Sequence, residues 1–369
     1  MAEISVIGAG FVGLSFALAA KQRGFDVDVF DLKSRPKVAD QLSCNVIATN
    51  LSSSAFLDEL GVWRGIDDRF KTGYSSMSVF DGAGTGAVTF NAEEAGRDLL
   101  GHIVDQAALL AALANVAEAQ SLRVHWQTPA DINSMSTQLL VAADGVHSRT
   151  REALGLKKIG YSYHQTATVC IAETSDRHQN RAHQWFLESG PLAMLPLSES
   201  NKVAVVWSSF DDVSELSEGD FIEQLNFASE DALGAIVSVS ERFGFSLMQQ
   251  AVWQYVDEGV ALLGDAAHAI HPLAGQGANL GFADARCLVT ELASARLEGR
   301  QPGDLNVLRR YQRARKKENY LAAIAMEGFH RLFTSSFPII GLLRSHGLKV
   351  VNENKTLKRL AIDVASGRL

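Results

Sequence analysis

The alternation of apolar and polar positions near the N-terminus predicts a strand, a helix and a second strand. Residues 4–7 form a short apolar run, and a helix-forming stretch, Leu14–Arg23, follows a glycine-rich turn. A second apolar run over Val27–Phe30 ends at Asp31. Short apolar runs on either side of one helix are typical of a βαβ unit with buried parallel strands.

Between residues 45 and 143 the pattern predicts a mixture of helices and strands. Residues 45–63 favour a loop and then a helix that ends in a glycine cap. Alternating positions predict a hairpin over residues 75–97, and a helical stripe covers Val104–Ala119. The continuous apolar run over residues 139–143 predicts a buried strand.

Residues 160–257 have a different pattern, in which short β-rich runs alternate with polar turns and one helix near Asp220–Ala228. This pattern predicts a mostly antiparallel sheet, and therefore a second domain inserted into the first. A strand over Val260–Leu263 precedes a Pro/Gly-rich loop, and from near Gly277 the chain is predicted to be largely helical. The β-rich runs are Ala167–Ala172, Ala193–Leu197, Val203–Ser208 and Ser246–Tyr255.

The composition is that of an ordinary globular protein, with 47% hydrophobic and 21% charged residues in a chain of 369. No apolar run approaches the ~20 residues needed to cross a bilayer, and the N-terminus lacks the basic start of a secretory signal. We therefore expect a cytoplasmic location. The scattered Cys44, Cys170 and Cys287 predict reduced thiols without a metal site.

Charge is distributed unevenly along the chain. The net charge of −8 argues against a nucleic-acid partner. Residues 305–369, however, hold 13 Lys/Arg against 4 Asp/Glu, a net +9, which leaves −17 for residues 1–304. Two interpretations of this basic tail stay open. It forms a helical layer on the first domain, or it makes peripheral contact with an anionic membrane or an acidic partner in a biosynthetic complex.

The turn after the first strand has the spacing of a dinucleotide-binding fingerprint. Gly8 permits the tight turn, Gly10 lets backbone N–H groups approach a pyrophosphate, and Gly13 allows the helix to pack closely on the strand. Asp31, 18 residues after Gly13, can accept hydrogen bonds from an adenosine ribose. A fingerprint in this context predicts a bound dinucleotide.

Together with two later strand-end acids, these motifs resemble those of the flavoprotein aromatic hydroxylases typified by p-hydroxybenzoate hydroxylase. Within that superfamily the chain is most similar to the hydroxylases of ubiquinone biosynthesis, and the resemblance covers essentially its whole length. The superfamily signatures are Gly8-x-Gly10-x-x-Gly13, Asp144-Gly145 and Gly264-Asp265, and the subfamily stretches are Leu100–Val104, Gly190–Leu197 and Gly264–Gly281.

The resemblance implies a fold and a reaction. The implied fold is α/β. It has an FAD-binding Rossmann-like domain of three layers around a parallel sheet, an inserted substrate domain with a mostly antiparallel β-sheet, and C-terminal helices. The implied reaction hydroxylates an aromatic ring, in particular a lipid-soluble polyprenylated phenol in ubiquinone biosynthesis, using FAD, NAD(P)H and O₂ through a flavin hydroperoxide. The implied domains are residues 1–74, 98–160 and 256–335 for FAD, 75–97 and 161–255 for substrate, and 336–369 for a C-terminal helical segment.

The resemblance also implies the residues of the site. A loop at Pro272, Leu273 and Ala274 would face both flavin and substrate, and no side chain is an evident general acid or base. The backbone N–H groups of Gly277 and Ala278, at a helix N-terminus, would stabilise negative charge on the reduced flavin. The implied cofactor-binding residues are Gly8, Gly10, Val12, Gly13, Asp31, Asn45, Gln106, Asp144, Asp265, Gly277, Ala278 and Asn279.

One position departs from the family pattern. Family members usually have an arginine that faces the FAD pyrophosphate, and the matching residue here is Asn45. A neutral amide donates hydrogen bonds but lacks the charge of a guanidinium, which predicts weaker FAD binding. His268 and His271 lack a metal-ligand set, and we expect His268 to be packed or hydrogen-bonded in the loop.

Two further questions stay open in the sequence. The aromatic residues Trp185, Phe186 and Trp207 either line an apolar substrate pocket or belong to the core. The protein is a monooxygenase, an FAD reductase or oxidase of the same fold, or a non-catalytic flavoprotein that serves as a scaffold. The fold alone does not decide among these three functions.

Overall fold

The structure, a computed structural model, describes residues 2–37, 40–82, 84–132, 135–269, 276–333 and 338–367. Within these ranges the strands are β1 (Ile4–Ile7), β2 (Val27–Phe30), β3 (Val46–Asn50), β4 (Lys71–Tyr74), β5 (Ser76–Asp81), β6 (Ala87–Asn91), β7 (Gly101–Asp105), β8 (Arg123–His125), β9 (Leu139–Ala142), β10 (Lys158–Thr174), β11 (Arg181–Leu187), β12 (Gly190–Pro196), β13 (Lys202–Ser209), β14 (Ile236–Val239), β15 (Phe243–Val252), β16 (Val256–Asp257), β17 (Val260–Leu262) and β18 (His268–Ala269). The helices are α1 (Phe11–Gln22), α2 (Leu51–Glu59), α3 (Gln106–Ala119), α4 (Arg149–Ala153), α5 (Glu218–Ser229), α6 (Gln276–Leu297), α7 (Leu305–Phe333), α8 (Pro338–Glu353) and α9 (Lys355–Ala365).

The first sheet has the strand order β16-β17-β9-β1-β2-β8, and its strands are parallel except at the β16–β17 edge. Apolar residues of β1, α1, α3 and α6 share its main core. Since β1 is hydrogen-bonded to both β2 and β9, and β9 to β17, the turns that follow β1, β9 and β17 lie at one edge. The predicted Rossmann-like parallel sheet is confirmed.

A large sheet has the order β18-β15-β10-β13-β12-β11-β5-β6, with β14 paired to β10. Its pairs are antiparallel apart from β11–β5, which confirms the mostly antiparallel second sheet. α5 packs on one face, here called the outer face, through Phe221 and Leu225. The opposite, inner face contacts a three-stranded sheet, β3-β7-β4, through Ile103 of β7.

Two segments differ from the sequence predictions. Residues 46–50 form β3 where a loop was expected, and residues 101–105 form β7 ahead of α3. β3 pairs antiparallel with β7, with Thr49 opposite His102. The partner strand is about 50 residues away, so the local pattern of β3 does not reveal the pairing.

The C-terminal helices lie against both sheets. α6 packs on α1 and α7, and the end of α7 together with α8 covers the inner face beside β5, β6 and β11. The Phe333 ring stacks on Phe186 with centroids 4.0 Å apart. The predicted helical C-terminal region is confirmed, and none of the helices in the described ranges is long and apolar enough to cross a membrane.

Candidate active site

The turn after β1 forms an open cradle. Gly8 has a φ of +103°, and a Cβ at Gly13 would lie 1.9 Å from the Gly8 carbonyl oxygen, so both positions require glycine. A Cβ at Gly10, in contrast, would have no heavy atom within 4 Å among the residues that the structure describes. Within the described ranges no side chain caps the N-terminus of α1, so its first N–H groups are available to the pyrophosphate of a dinucleotide.

Asp31 holds this turn from the end of β2. Its carboxylate accepts hydrogen bonds from the backbone N–H groups of Ala9 at 2.6 Å and Lys33 at 2.7 Å. A carboxylate has acceptor sites beyond these two, so Asp31 can also accept a hydrogen bond from a ribose hydroxyl. Its role toward the cofactor stays a prediction.

Three chain segments meet around Val12 of α1. A Cβ at Gly281 would lie 2.4 Å from Val12 Cγ2, and one at Gly264 would lie 3.1 Å from it. Glycines at these positions therefore let α6 and the turn at residues 264–266 approach α1 closely. The Asp265 side chain is exposed, and no described residue makes a hydrogen bond with its carboxylate, which fits binding of a polyhydroxylated ribitol chain.

Asp144, in the turn after β9, makes its hydrogen bonds within that turn. The Asp144 carboxylate accepts hydrogen bonds from Ser148 Oγ at 2.5 Å, Thr150 Oγ1 at 2.9 Å and Thr150 N–H at 3.1 Å. Asp144 therefore fixes the start of α4. Whether it also contacts the cofactor stays a prediction.

Arg151 and Gln250 tie this turn to the next one. Arg151 is fully buried, and its guanidinium donates to the carbonyl oxygens of Ala266 at 3.1 Å and Val146 at 3.2 Å. Gln250 Nε2 donates to Val146 O at 2.8 Å and to Asp265 O at 3.1 Å. Sequence reasoning missed both residues, because their partners are backbone groups that no motif names.

Three other predicted residues lie around β3. The Asn279 amide at the start of α6 donates to Ala48 O and accepts from Asn50 N–H, each at 2.9 Å, and so ties α6 to β3. Asn45 is exposed just before β3, and its carbonyl oxygen accepts a 2.9 Å hydrogen bond from Gln106 N–H. The structure thus brings Asn45 and Gln106 together, and their cofactor contacts stay predictions.

The loop predicted to face flavin and substrate lies outside the described residues, and with it Pro272, Leu273, Ala274 and His271. Its flanks are described. β18 pairs with the edge strand β15, placing Ala269 opposite Gln250, and α6 begins at Gln276. A Cβ at Gly277 would have no heavy atom of the described residues within 4 Å, which fits the predicted role of its N–H group.

Asp284 is the centre of a buried ionic network beneath the turn at residues 264–266. His268 Nε2 lies 2.5 Å and Arg315 Nε 2.7 Å from its carboxylate, which also accepts from Gly264 N–H at 3.1 Å and Asn319 Nδ2 at 3.2 Å. Burial alone would raise the pKa of Asp284, but the charges and hydrogen bonds of His268 and Arg315 outweigh it and hold that pKa below its ordinary value. The expectation that His268 is hydrogen-bonded is confirmed.

This network corrects the sequence interpretation of the basic tail. Arg315, counted there among cations available for a membrane, is 4% exposed and paired with Asp284. Arg344 is likewise buried against Asp81, and Lys358 is paired with Glu94. These three cations stabilise the fold and are not available to an external partner.

The inner face of the large sheet is apolar next to these turns. Cross-strand pairing places Ala193 beside Val206, and both Leu195 and Ile171 beside Ala204. Ile171, Ala193, Leu195 and Val206, here called the apolar strip, are half-buried, so space beside them stays accessible.

The aromatic residues of the second domain divide between the two faces. Trp185 and Trp207 pack with α5 on the outer face, 1% and 5% exposed, as the core interpretation expected. Phe186 lies on the inner face against Phe333. A groove of about 840 Å³ on the outer face, lined by Glu188, Glu223 and Phe227 among others, is separated from the apolar strip by the sheet.

Two family models match the chain. One, described as an FAD binding domain, matches residues 123–319, and another, an NAD(P)-binding Rossmann-like domain, matches residues 6–41. Among the relatives, the 3-demethoxyubiquinol 3-hydroxylase of Escherichia coli is 31% identical over 99% of this chain and 98% of its own length. The ubiquinone hydroxylase UbiL of Rhodospirillum rubrum is 30% identical over 100% and 90%, and the human mitochondrial ubiquinone biosynthesis monooxygenase COQ6 is 29% identical over 99% and 92%.

Solved structures with the same fold support the architecture. The p-nitrophenol 4-monooxygenase PnpA of Pseudomonas putida superposes with a TM-score of 0.78 at 17% identity, covering 100% of this chain and 99% of its own. An HpxO variant of Klebsiella pneumoniae complexed with FAD superposes with a TM-score of 0.77 at 18% identity, covering 99% of each chain.

Proposed function

Because this chain belongs to the family of FAD-dependent aromatic-ring hydroxylases that includes the ubiquinone-biosynthesis enzymes, we propose that it hydroxylates a polyprenylated phenol on the route to ubiquinone. Its cofactor is FAD, and NAD(P)H and O₂ are its co-substrates. We also propose that residues 1–74, 98–160 and 256–335 form the FAD-binding domain, that residues 75–97 and 161–255 form the substrate domain, and that residues 336–369 form a C-terminal helical segment.

The apolar strip is the observation that carries the proposed substrate. Its four side chains, together with Ala167, Val169 and Ala204 on the same face, present no charge to the space between the large sheet and the first domain. A carboxylated or phosphorylated ring would lose its hydration there without gaining a cation. A neutral ring with an apolar tail is stabilised by the same surface.

Bound FAD supplies electrons taken from NAD(P)H and activates O₂ for transfer of one oxygen atom to the ring. The residues of this chain orient the reactants and exclude water. We assign the pyrophosphate to the cradle at Gly10 and the ribitol chain to Asp265. The N–H groups of Gly277 and Ala278 stabilise negative charge on the reduced cofactor, since they lie at the positive end of α6.

Turnover of the holoprotein with 2-geranylphenol, a short-chain prenylated phenol, tests this function. We expect the phenol to stimulate NAD(P)H oxidation and to yield a catechol or hydroquinone that carries one atom of ¹⁸O from ¹⁸O₂, measured by mass spectrometry. Hydrogen peroxide without hydroxylated product would indicate an oxidase instead. Bound FAD without any turnover would indicate a scaffold.

The exposed Asn45 leads to a first mutational prediction. No described residue makes a hydrogen bond with its side chain, so an arginine fits there without displacing a partner. We expect Asn45→Arg to tighten FAD binding by about tenfold, because a guanidinium adds charge-assisted hydrogen bonds to the pyrophosphate. Titration of apoprotein with FAD, followed by flavin fluorescence, measures the change. Equal or weaker binding would place the pyrophosphate away from Asn45.

We further propose that the enzyme collects its lipid-soluble substrate at a membrane surface, with α9 in contact with the bilayer. The inward side of α9 is held by ion pairs beside the buried Ile362, since Lys358 pairs with Glu94 and Asp363 with Arg97. Its outward side is apolar, because Leu357, Leu360 and Val364 are 40%, 51% and 54% exposed at helical spacing. An outward apolar stripe beside the exposed cations Lys355 and Arg359 fits an anionic interface.

Flotation with phosphatidylglycerol vesicles measures this contact. We expect reversible binding at low salt that weakens at high salt, since each Lys or Arg near such a surface contributes about 1 kcal/mol. Replacing Leu357, Leu360 and Val364 by serine should weaken binding at least tenfold, because each apolar side chain buried at the interface contributes about 1 kcal/mol. Leu297→Ser, at a 92% exposed leucine outside the stripe, is the matched control. Equal loss in the control, or no binding at low salt, would contradict the proposal.

A further inference from the structure

Gln184 is a buried carboxamide on the inner face of the large sheet. It lies directly opposite Ala193 of the apolar strip, and on its other side it pairs with Val79 of β5. Gln184 is 3% exposed, and no residue in the described ranges makes a hydrogen bond with its side chain.

The small exposed surface that Gln184 keeps includes its amide, because neither amide atom belongs to the fully buried side-chain atoms without a hydrogen-bond partner. A carboxamide has two N–H donors and a carbonyl acceptor, and side-chain amides in protein interiors are normally paired. An amide that reaches accessible space and has no partner among the described residues is available to hydrogen-bond a molecule that binds the inner face.

The surroundings of Gln184 limit where that molecule lies. Toward β5 the inner face is closed by Phe333 packed on Phe186 and Val79. Toward the other end of β12 it is closed by Ile103, which packs with Ala204 and Leu195. Between these two covers, Ala193 and Val206 are half-buried, so a flat ring on them would lie next to the Gln184 amide.

We propose that Gln184 hydrogen-bonds the oxygen substituent of the substrate ring and thereby selects which ring carbon is hydroxylated. This inference rests on the proposed function and identifies its specificity-determining residue. The rows of residues around Gln184 on β10, β12 and β13 carry no charged side chain, and one directional hydrogen bond distinguishes one edge of the ring from another. A site that bonds a hydroxyl group discriminates against an analogue that lacks it.

Ligand binding to the oxidised holoprotein tests the hydrogen bond apart from turnover. The probes are 2-geranylphenol and geranylbenzene, which differ only in the oxygen atom, and the perturbation of the flavin absorption spectrum gives each dissociation constant. We expect the wild-type protein to prefer the phenol by about tenfold, the effect of one net hydrogen bond, and Gln184→Met to lose this preference. Gln184→Met should also give a mixture of hydroxylated isomers, resolved by chromatography of the products.

Gln165→Met is the matched control. Gln165 is 2% exposed in the same sheet, but its amide donates to Ser189 O at 3.0 Å, so its loss should lower stability while leaving the tenfold preference intact. A preference retained in Gln184→Met would overturn the assignment, as would an equal loss in the control. If the Met variant does not fold, Gln184→Asn, which withdraws the amide by one methylene, should show the same loss. Absence of hydroxylation by wild-type protein that still prefers the phenol would contradict the proposed function and not this contact.

Discussion

Replacing Asp284 by asparagine is expected to lower the free energy of unfolding by about 3–5 kcal/mol, the cost of removing one partner from a buried ion pair. Asp284 is fully buried, Arg315 and His268 are each 4% exposed, and both direct nitrogen atoms at its carboxylate. Asparagine keeps the shape of the side chain but removes the buried anion, so that Arg315 keeps only its ion pair with the largely exposed Glu318. Urea unfolding of the apoprotein measures the change.

Glu298→Gln is the control for Asp284→Asn. Glu298 also pairs with arginines, Arg300 and Arg310, but on the surface, so its loss should leave the midpoint of unfolding unchanged. If both substitutions lowered the free energy of unfolding equally, the buried network would not stabilise the protein more than a surface ion pair does.

The stability difference between wild type and Asp284→Asn should also depend on pH. The pKa of Asp284 is lowered in the folded state, so the unfolded state takes up its proton first as the pH falls. The contribution of Asp284 is therefore complete above the ordinary carboxyl range and disappears as the pH falls through the lowered pKa. Unfolding midpoints of both proteins should converge toward acid pH and stay apart at neutral pH.

Two glycine substitutions in the cradle should separate folding from cofactor binding. Gly13→Val places side-chain atoms where a Cβ alone would lie 1.9 Å from Gly8 O and 3.3 Å from Ala143 Cβ. We expect it to lower apoprotein stability by about 1–3 kcal/mol or more and to abolish FAD binding. The Cβ of Gly10→Ala meets no atom of the described chain within 4 Å, and the Gly10 φ of −76° suits any residue, so apoprotein stability should change by less than ~0.5 kcal/mol.

The added methyl group of Gly10→Ala nevertheless occupies the space assigned to the pyrophosphate. We expect its FAD affinity to fall by at least tenfold, about 1.4 kcal/mol, because the backbone N–H groups can no longer approach the phosphates. Gly219→Ala on α5, whose Cβ likewise has no neighbour within 4 Å in the described part of the chain, is the control. Flavin content after purification and fluorescence titration of apoprotein measure binding. Wild-type affinity in Gly10→Ala would place the pyrophosphate elsewhere.

The basic residues of the C-terminal region, residues 305–369, do not all have the same role. Residues 305–369 were expected to be helical, and they form helices in the described ranges. Their positive charge, however, does not lie wholly on the surface. Arg315, Arg344 and Lys358 are buried in ion pairs with acids that are distant in the sequence. α9 carries the outward apolar stripe, which follows from the way Lys358 and Ile362 face inward.

The sequence by itself determined the parallel βαβ opening, the inserted antiparallel sheet and the binding of a dinucleotide. These depend on local signals: the glycine spacing of the first turn, strand-end acids, and apolar periods of two or 3.6 residues, each of which is set by neighbours in the chain. β3 was not predicted because its hydrogen bonds are made with β7, which is distant in the sequence, and local patterns do not reveal such pairing.

Only the tertiary structure decided which polar groups are already satisfied. Asp144 is bonded to its own turn and Asn279 to β3, whereas Asp265 is exposed and Gln184 is buried beside the apolar strip without a described partner. The Asp284 network joins residues of α6, α7 and the turn at residues 264–266, so no sequence spacing reveals it. The physical reason is that hydrogen bonding and desolvation depend on which side chains are close in space, and those contacts are set by packing between residues that are distant in the sequence.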